Sequence, residues 1–303
     1  MHIKYLRWVT TAAVFLALCV VMLGAYTRLT DAGLGCPDWP GCYGKMALPV
    51  ERDGLTEMLH RYLAGSLGCL ILFILAFAPK YKLPWMLVGL VFFQAALGMW
   101  TVTLKLLPVV VMGHLLGGLL IFSLLFLFRA QLSEQSSINL SGWHKPTLIG
   151  VLIIFIQIAL GGWVSSNYAG IACVGFPQCN GSWLPTLQWM PAFDVFSTVG
   201  ANYQGGLLDS DARVTIQFVH RLGALITATY CLGLSLFMMR IQRRRVFWLA
   251  FVVFMLIILQ LFLGIMNVIY LLPLPLAVAH NGVAALLLGS MITLSYSVSG
   301  GKQ

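Results

Sequence analysis

The sequence predicts an all-α integral membrane protein whose eight transmembrane helices form two pseudo-symmetric four-helix bundles. Three observations predict it: the hydropathy of the chain, an internal repeat, and the placement of four histidines. Of the 303 residues, 60% are hydrophobic and 9% are charged, against about 25% charged in a soluble domain. A hydrocarbon core about 30 Å thick needs roughly 20 apolar residues per helical span. Eight segments meet that requirement, at approximately residues 8–28, 56–78, 84–104, 109–128, 147–166, 213–239, 246–270 and 275–297. The first is too long for the apolar region of a signal peptide. It also runs into Tyr26-Thr27-Arg28 without a small-residue cleavage site, so it counts as a span.

The formal net charge is +9, and its distribution explains it. With the N-terminus inside, 11 basic residues fall on inner segments: Lys4, Arg7, Lys80, Lys82, Arg129, Lys145, Arg240, Arg243, Arg244, Arg245 and Lys302. Five fall outside, Arg28, Lys45, Arg52, Lys105 and Arg213, with Arg61 and Arg221 just inside helices. Of nine acidic residues only Glu134 lies inside. This is the positive-inside bias of a membrane protein with both termini in the cytoplasm. It leaves no reason to invoke a nucleic-acid partner; the partner of the basic excess is the lipid surface.

Cys19, Cys69 and Cys231 sit in apolar helices, where a thiol behaves as a small hydrophobe. The other four form two Cys-x5-Cys pairs, Cys36/Cys42 and Cys173/Cys179, in the two long outer loops. An outer, oxidising compartment makes disulfides their expected fate. Each would be worth roughly 2 kcal/mol on the chain-entropy account. A metal site of four thiolates is the alternative, and Cys-x5-Cys is a loose spacing for zinc.

The chain repeats itself. Each half has an outer loop with Cys-x5-Cys, followed by Glu57-Met-Leu-His60-Arg61 in the first half and Gln217-Phe-Val-His220-Arg221 in the second. Gln94 and Gly98 match Gln260 and Gly264, and Gly113-His114 matches Ala279-His280. The offsets are 137 for the cysteines, 160 for the first histidines, and 166 for the Gln/Gly pair and the second histidines. Four spans per half give both halves one orientation, a parallel repeat about the membrane normal. The expected organisation is an N-terminal bundle over 1–130, an inner linker over 131–146, and a C-terminal bundle over 147–303. The outer loop near 167–212 is long, and its Trp183, Trp189 and Phe193 suggest that part of it lies along the interface.

His60, His114, His220 and His280 occupy alternate spans, each one to two turns in from the outer side, so they share one depth. His2 and His144 are expected to be solvated. A lone intramembrane histidine is usually a packed, hydrogen-bonded residue, but four at one depth in a repeat are functional by default. Two imidazoles facing each other across a bundle fit an iron porphyrin, one axial ligand per face. Two histidines without a cysteine are too few for structural zinc. The glycines nearby (Gly65, Gly68, Gly117, Gly118, Gly223 and Gly282) either leave room for a macrocycle or let helices pack closely. Arg61 and Arg221 either pair with propionates or snorkel to headgroups. Glu57, three residues before His60, is Gln217 in the second half: the repeat keeps the shape and removes the acid. Glu57 is either a proton acceptor beside the first histidine pair or a carboxylate at a helix N-terminus.

Taken together, Gly33-Leu-Gly35-Cys36-Pro-Asp-Trp39-Pro-x-Cys42, Glu57-x-x-His60-Arg61, Gly113-His114, Phe218-Val-His220-Arg221 and Ala279-His280 resemble the haem A synthase family, CtaA type, over essentially the whole chain. The resemblance implies oxidation of a methyl group of haem O to the formyl of haem A, by two hydroxylations and loss of water. It implies that His60 and His114 hold the substrate haem with Glu57 essential nearby, and that His220 and His280 ligate a haem b cofactor. The cysteine pairs match the disulfide-bearing form of the family. It further implies a bacterial cytoplasmic (inner) membrane, a haem O synthase as donor, a terminal oxidase as recipient, and an unidentified electron acceptor, quinone being one option. Two other classes compete: a di-haem, quinol-linked electron-transfer cytochrome of b type, which leaves the Glu57/Gln217 difference unexplained, and a non-catalytic haem carrier.

Overall fold

A computed structural model of the chain describes residues 3–133, 140–195 and 202–300. Eight of its helices are long and apolar enough to cross a membrane. They are α1 (Ile3–Leu29), α2 (Arg52–Phe77), α3 (Lys82–Thr103), α4 (Pro108–Gln131), α5 (Ser141–Ser166), α7 (Ser210–Met239), α8 (Arg244–Ile269) and α9 (Leu274–Val298). A four-residue helix, α6 (Trp189–Ala192), lies in the second outer loop. No strand is formed among the described residues, as a bilayer requires of backbone that cannot pair within a barrel. His2, Glu134 and Lys302 lie outside the described residues.

Several helices start earlier than hydropathy places them. α1 begins at Ile3, α2 at Arg52, and α7 at Ser210, capped by the Asp209 carboxylate accepting from the Ala212 amide at 2.8 Å. Hydropathy reports the lipid-immersed stretch, whereas backbone hydrogen bonding carries a helix on into water until a cap stops it. The same applies to α5, which begins at Ser141 with Pro146 inside it, so the inner connection runs only over 132–140. A proline this near a helix start removes one hydrogen bond without breaking the helix. His144, expected to be solvated, is half-buried on α5, and its Nδ1 is covered.

Each half closes a ring of helix contacts, α1–α2–α3–α4 in the first and α5–α7–α8–α9 in the second. The halves meet where α1 and α4 pack on α9 and α4 packs on α5. α9 is the most enclosed span, and its small residues let neighbours approach: a Cβ on Gly289 would lie 3.1 Å from Phe126 and 3.2 Å from Phe122. Across the outer surface, Arg28 donates to the Ser165 carbonyl at 2.6 Å and lies 3.8 Å over the Tyr168 ring. Burial raises the pKa of the Tyr168 phenol, which keeps its proton and donates it to Asp31 at 2.8 Å.

The second outer loop stays close to the helices. Trp163 donates to the Ala192 carbonyl at 2.8 Å, and Trp189 stacks on Phe193. Trp183 and Trp189 are exposed, as residues at a lipid interface would be. Farther along, the buried Tyr203 donates its amide to the Lys105 carbonyl at 3.1 Å, so this loop reaches the first half.

Replacing Gly289 by Leu should lower stability by about 1–3 kcal/mol, because the fixed rings of Phe122 and Phe126 occupy the space. Thermal unfolding in detergent measures it, and an unchanged midpoint would refute close packing at this crossing.

Candidate functional site

All four intramembrane histidines are seated the same way. His60 on α2 lies against Gly24 of α1, and His114 on α4 against Gly98 of α3. His220 on α7 lies against Gly161 of α5, and His280 on α9 against Gly264 of α8. A Cβ on those glycines would stand 2.9, 3.1, 3.1 and 3.2 Å from the ring Cε1. No side chain fits there, so each glycine fixes the depth and direction of one ring. Gly98 and Gly264 are visible in the repeat. Gly24 and Gly161 were missed by the sequence reading, although they are related by the same offset of 137 as the cysteines.

The His60 and His114 rings face each other with centroids 6.4 Å apart and planes at 75°. Two metal–imidazole bonds of about 2 Å each, plus the two ring radii, span roughly 6 Å. The observed separation matches that span. The two rings line a cavity of about 910 Å³ walled mainly by α1 to α4, with Gly162 and Ser165 of α5 and Asn281 of α9 at its edge, near the top of the roughly 300–1,000 Å³ range for small-molecule sites. Of the glycines flagged in the sequence, Gly65, Gly68 and Gly118 line this cavity, and a Cβ on Gly65 would meet nothing. Gly117, Gly223 and Gly282 instead admit Gln94, Gln157 and Met22, so the two readings of the glycines divide by position.

The chemistry of these donors suits a haem. The Nδ1 atoms of His60, His114 and His280 are buried without a hydrogen-bond partner, a state that normally costs about 1–3 kcal/mol each. Among the described residues no group of three or more His, Cys, Asp or Glu is arranged to hold a bare metal ion. Paired imidazoles suit a metal that brings its other four donors in a ring of its own.

Glu57 is buried at the outer end of the cavity. Its Oε2 accepts from the Cys36 amide at 2.8 Å and its Oε1 from Arg61 at 2.5 Å. It is the sixth residue of α2 and binds no free amide at that helix start, so helix capping does not explain it. Arg61 also donates through Nη1 to the carbonyls of Asp38 (2.9 Å), Pro40 (3.2 Å) and Gly41 (2.5 Å). Arg221 does the same in the second half, to Gly175 at 2.9 Å, Gln178 at 3.1 Å and the Cys173 carbonyl. Asp38 and Gly41 correspond to Gly175 and Gln178 at the offset of 137, so the two arginines grip equivalent loop positions. Gln217, in the place of Glu57, leaves its Oε1 buried and unpaired.

The sequence matches the COX15-CtaA family of cytochrome oxidase assembly proteins over residues 7–292. The chain belongs to this family. Similar proteins include one named heme A synthase from Shewanella oneidensis, 43% identical over 96% of each chain. Others with that name are from Neorickettsia sennetsu, 28% identical over 96% of this chain and 98% of the relative, and from Bacillus licheniformis, 25% identical over 92% and 90%.

Both cysteine pairs in this family member are disulfides, Cys36–Cys42 and Cys173–Cys179, with Cα atoms 4.9 Å apart. Each bonded loop closes through a tight turn, Cys42-Tyr43-Gly44-Lys45 and Cys179-Asn180-Gly181-Ser182, with positive φ at both central residues. Asn-Gly is the favoured pair for such a turn, and it stands in the second loop. In the first loop Tyr43 takes the strained position, and the Asp38 carboxylate accepts from the amides of Tyr43 (2.7 Å) and Gly44 (2.6 Å). Thiol labelling without reductant should miss these four cysteines. Ready modification of Cys36 or Cys173 would refute the closed loops.

Proposed function

We propose that this chain is a haem A synthase, an oxidoreductase that converts a ring methyl of haem O to the formyl group of haem A. The observation that carries this reading is the His60–His114 pair facing across a large apolar cavity, with one buried carboxylate at its outer end. In this reading the four-helix ring over 1–130 holds the substrate haem through His60 and His114. A pseudo-symmetric ring over 147–303 holds a haem b cofactor through His220 and His280. The matched glycine seats and arginine clamps support the pseudo-symmetry.

The haem b, when bound, supplies a one-electron redox centre beside the substrate. The chain's own groups do the rest. The two imidazoles of the first half orient the porphyrin, and the apolar walls exclude bulk water from it. Glu57 is held at two points, by the Cys36 amide and Arg61. A carboxylate has about four acceptor sites, so it can still take a proton released as the methyl carbon is oxidised. Gln217 cannot, which suits a half that only carries electrons. Arg61 and Arg221 act first as loop clamps; the Nε of Arg221, buried and unpartnered, is the donor left for a propionate.

The positive-inside charge bias and the two disulfide loops support a bacterial cytoplasmic membrane with both termini in the cytoplasm. Donation of haem O by its synthase, delivery of haem A to a terminal oxidase, and a quinone-class electron acceptor complete the proposal.

Expression in a strain that makes haem O but lacks its own synthase should yield haem A in extracted haems; its absence would reject the activity. Glu57→Gln should keep haem binding and lose most product, by the 10²–10⁴-fold typical of a lost acid–base group. Full activity would remove Glu57 from the chemistry. His220→Ala should abolish the resident haem b spectrum while the protein still inserts, and an unchanged spectrum would refute that ligand.

A further inference from the structure

The two halves treat the second nitrogen of their imidazoles differently. In the second half, Gln157 Nε2 lies 3.1 Å from His220 Nδ1 and also donates to the His220 carbonyl at 3.0 Å. Gln260 Nε2 lies 3.1 Å from His280 Nε2. In the first half, the position matching Gln157 at the offset of 137 is Val20, which has no polar atom to offer. The position matching Gln260 is Gln94, whose amide donates instead to the His114 main-chain carbonyl at 2.6 Å. His60 and His114 thus have no side-chain partner at either ring nitrogen among the described residues; main-chain carbonyls of Val20 and Gln94 are what they meet, as His280 also meets that of Gln260, so the halves differ in the side-chain amide alone.

We infer that Gln157 and Gln260 are positioning residues that lock the His220 and His280 rings, making the second half a site of retention and leaving the first half a site of exchange. The inference rests on the reading that both pairs ligate haem. A metal-bound neutral imidazole keeps its proton on the other nitrogen and needs an acceptor for it. Each glutamine places an amide at that nitrogen, and the Oε1 of both side chains is buried without a partner. A half-turn of the amide brings that oxygen to the ring N–H. For Gln157 the turn gives up the bond to the His220 carbonyl, and for Gln260 it gives up nothing. The acceptor fixes the ring plane and strengthens the ligand, so the porphyrin is held tightly. A resident redox group needs that grip. A substrate that must leave after each turnover is better served by rings held by the main chain alone, without the added side-chain grip, as at Val20.

The test uses full-length protein purified with its haems. In Gln157→Val and Gln260→Leu, transfer of haem b to an excess of apomyoglobin should quicken 10- to 100-fold, the usual effect of losing such a partner. The haem b midpoint potential, followed by redox titration, should rise as the ligand weakens; a purely structural role would not move it. The reciprocal Val20→Gln, placed where the cavity has room, should slow haem loss from the first half. Unchanged transfer and potential in both glutamine variants, or no slowing in Val20→Gln, would overturn the inference. A haem b signal that survives His220→Ala would overturn the ligand reading beneath it, which separates the two failures.

Discussion

The site depends on one contact repeated four times: an imidazole edge against a helical glycine. Burial of a polar ring in a bilayer interior is tolerable only when its direction is fixed and its nitrogens have a use. Gly24, Gly98, Gly161 and Gly264 supply the direction, because a Cβ at any of them would stand about 3 Å from the ring. That contact also sets how closely α1 approaches α2, α3 approaches α4, α5 approaches α7, and α8 approaches α9. The helix spacing and the aim of the histidines are therefore one constraint, and the 6.4 Å separation of His60 and His114 follows from it.

Above the rings, the outer surface is organised by charge. Arg61 and Arg221 each spread one guanidinium over several loop carbonyls, the kind of forked donation that lysine cannot make. The disulfides shorten the loops, and the arginines fasten them to the helices that carry His60 and His220. In the first half this fastening passes through Glu57, which ties the Cys36 amide to Arg61. One buried carboxylate thus holds the loop, and in the proposed reaction it also offers an acceptor beside the first histidine pair.

The halves share a framework and differ at a few matched side chains. Glu57 against Gln217 separates a half that can take a proton from one that cannot. Val20 against Gln157 separates a ring that meets only the main chain from one with a side-chain amide at its nitrogen. Both differences lie on matched positions of the repeat, so neither reflects a difference in fold. The second outer loop adds a structural link of its own, since Tyr203 reaches the connection between α3 and α4.

The eight spans, the repeat, the disulfide pairs and the four histidines were legible in the sequence, because hydropathy and residue type act locally and recur at fixed offsets. Helix starts were less legible, since Arg52 and Ser210 belong to turns that continue into water after the apolar signal ends. The sequence could offer Arg61 as a partner for propionates and Glu57 as a helix cap, but it could not decide what either touches. Only tertiary packing brings Cys36 to Glu57, Gly161 to His220 and Gln157 to its ring nitrogen. Those contacts join residues 21, 59 and 63 positions apart, and short-range sequence pattern carries no information about a distance closed by tertiary structure.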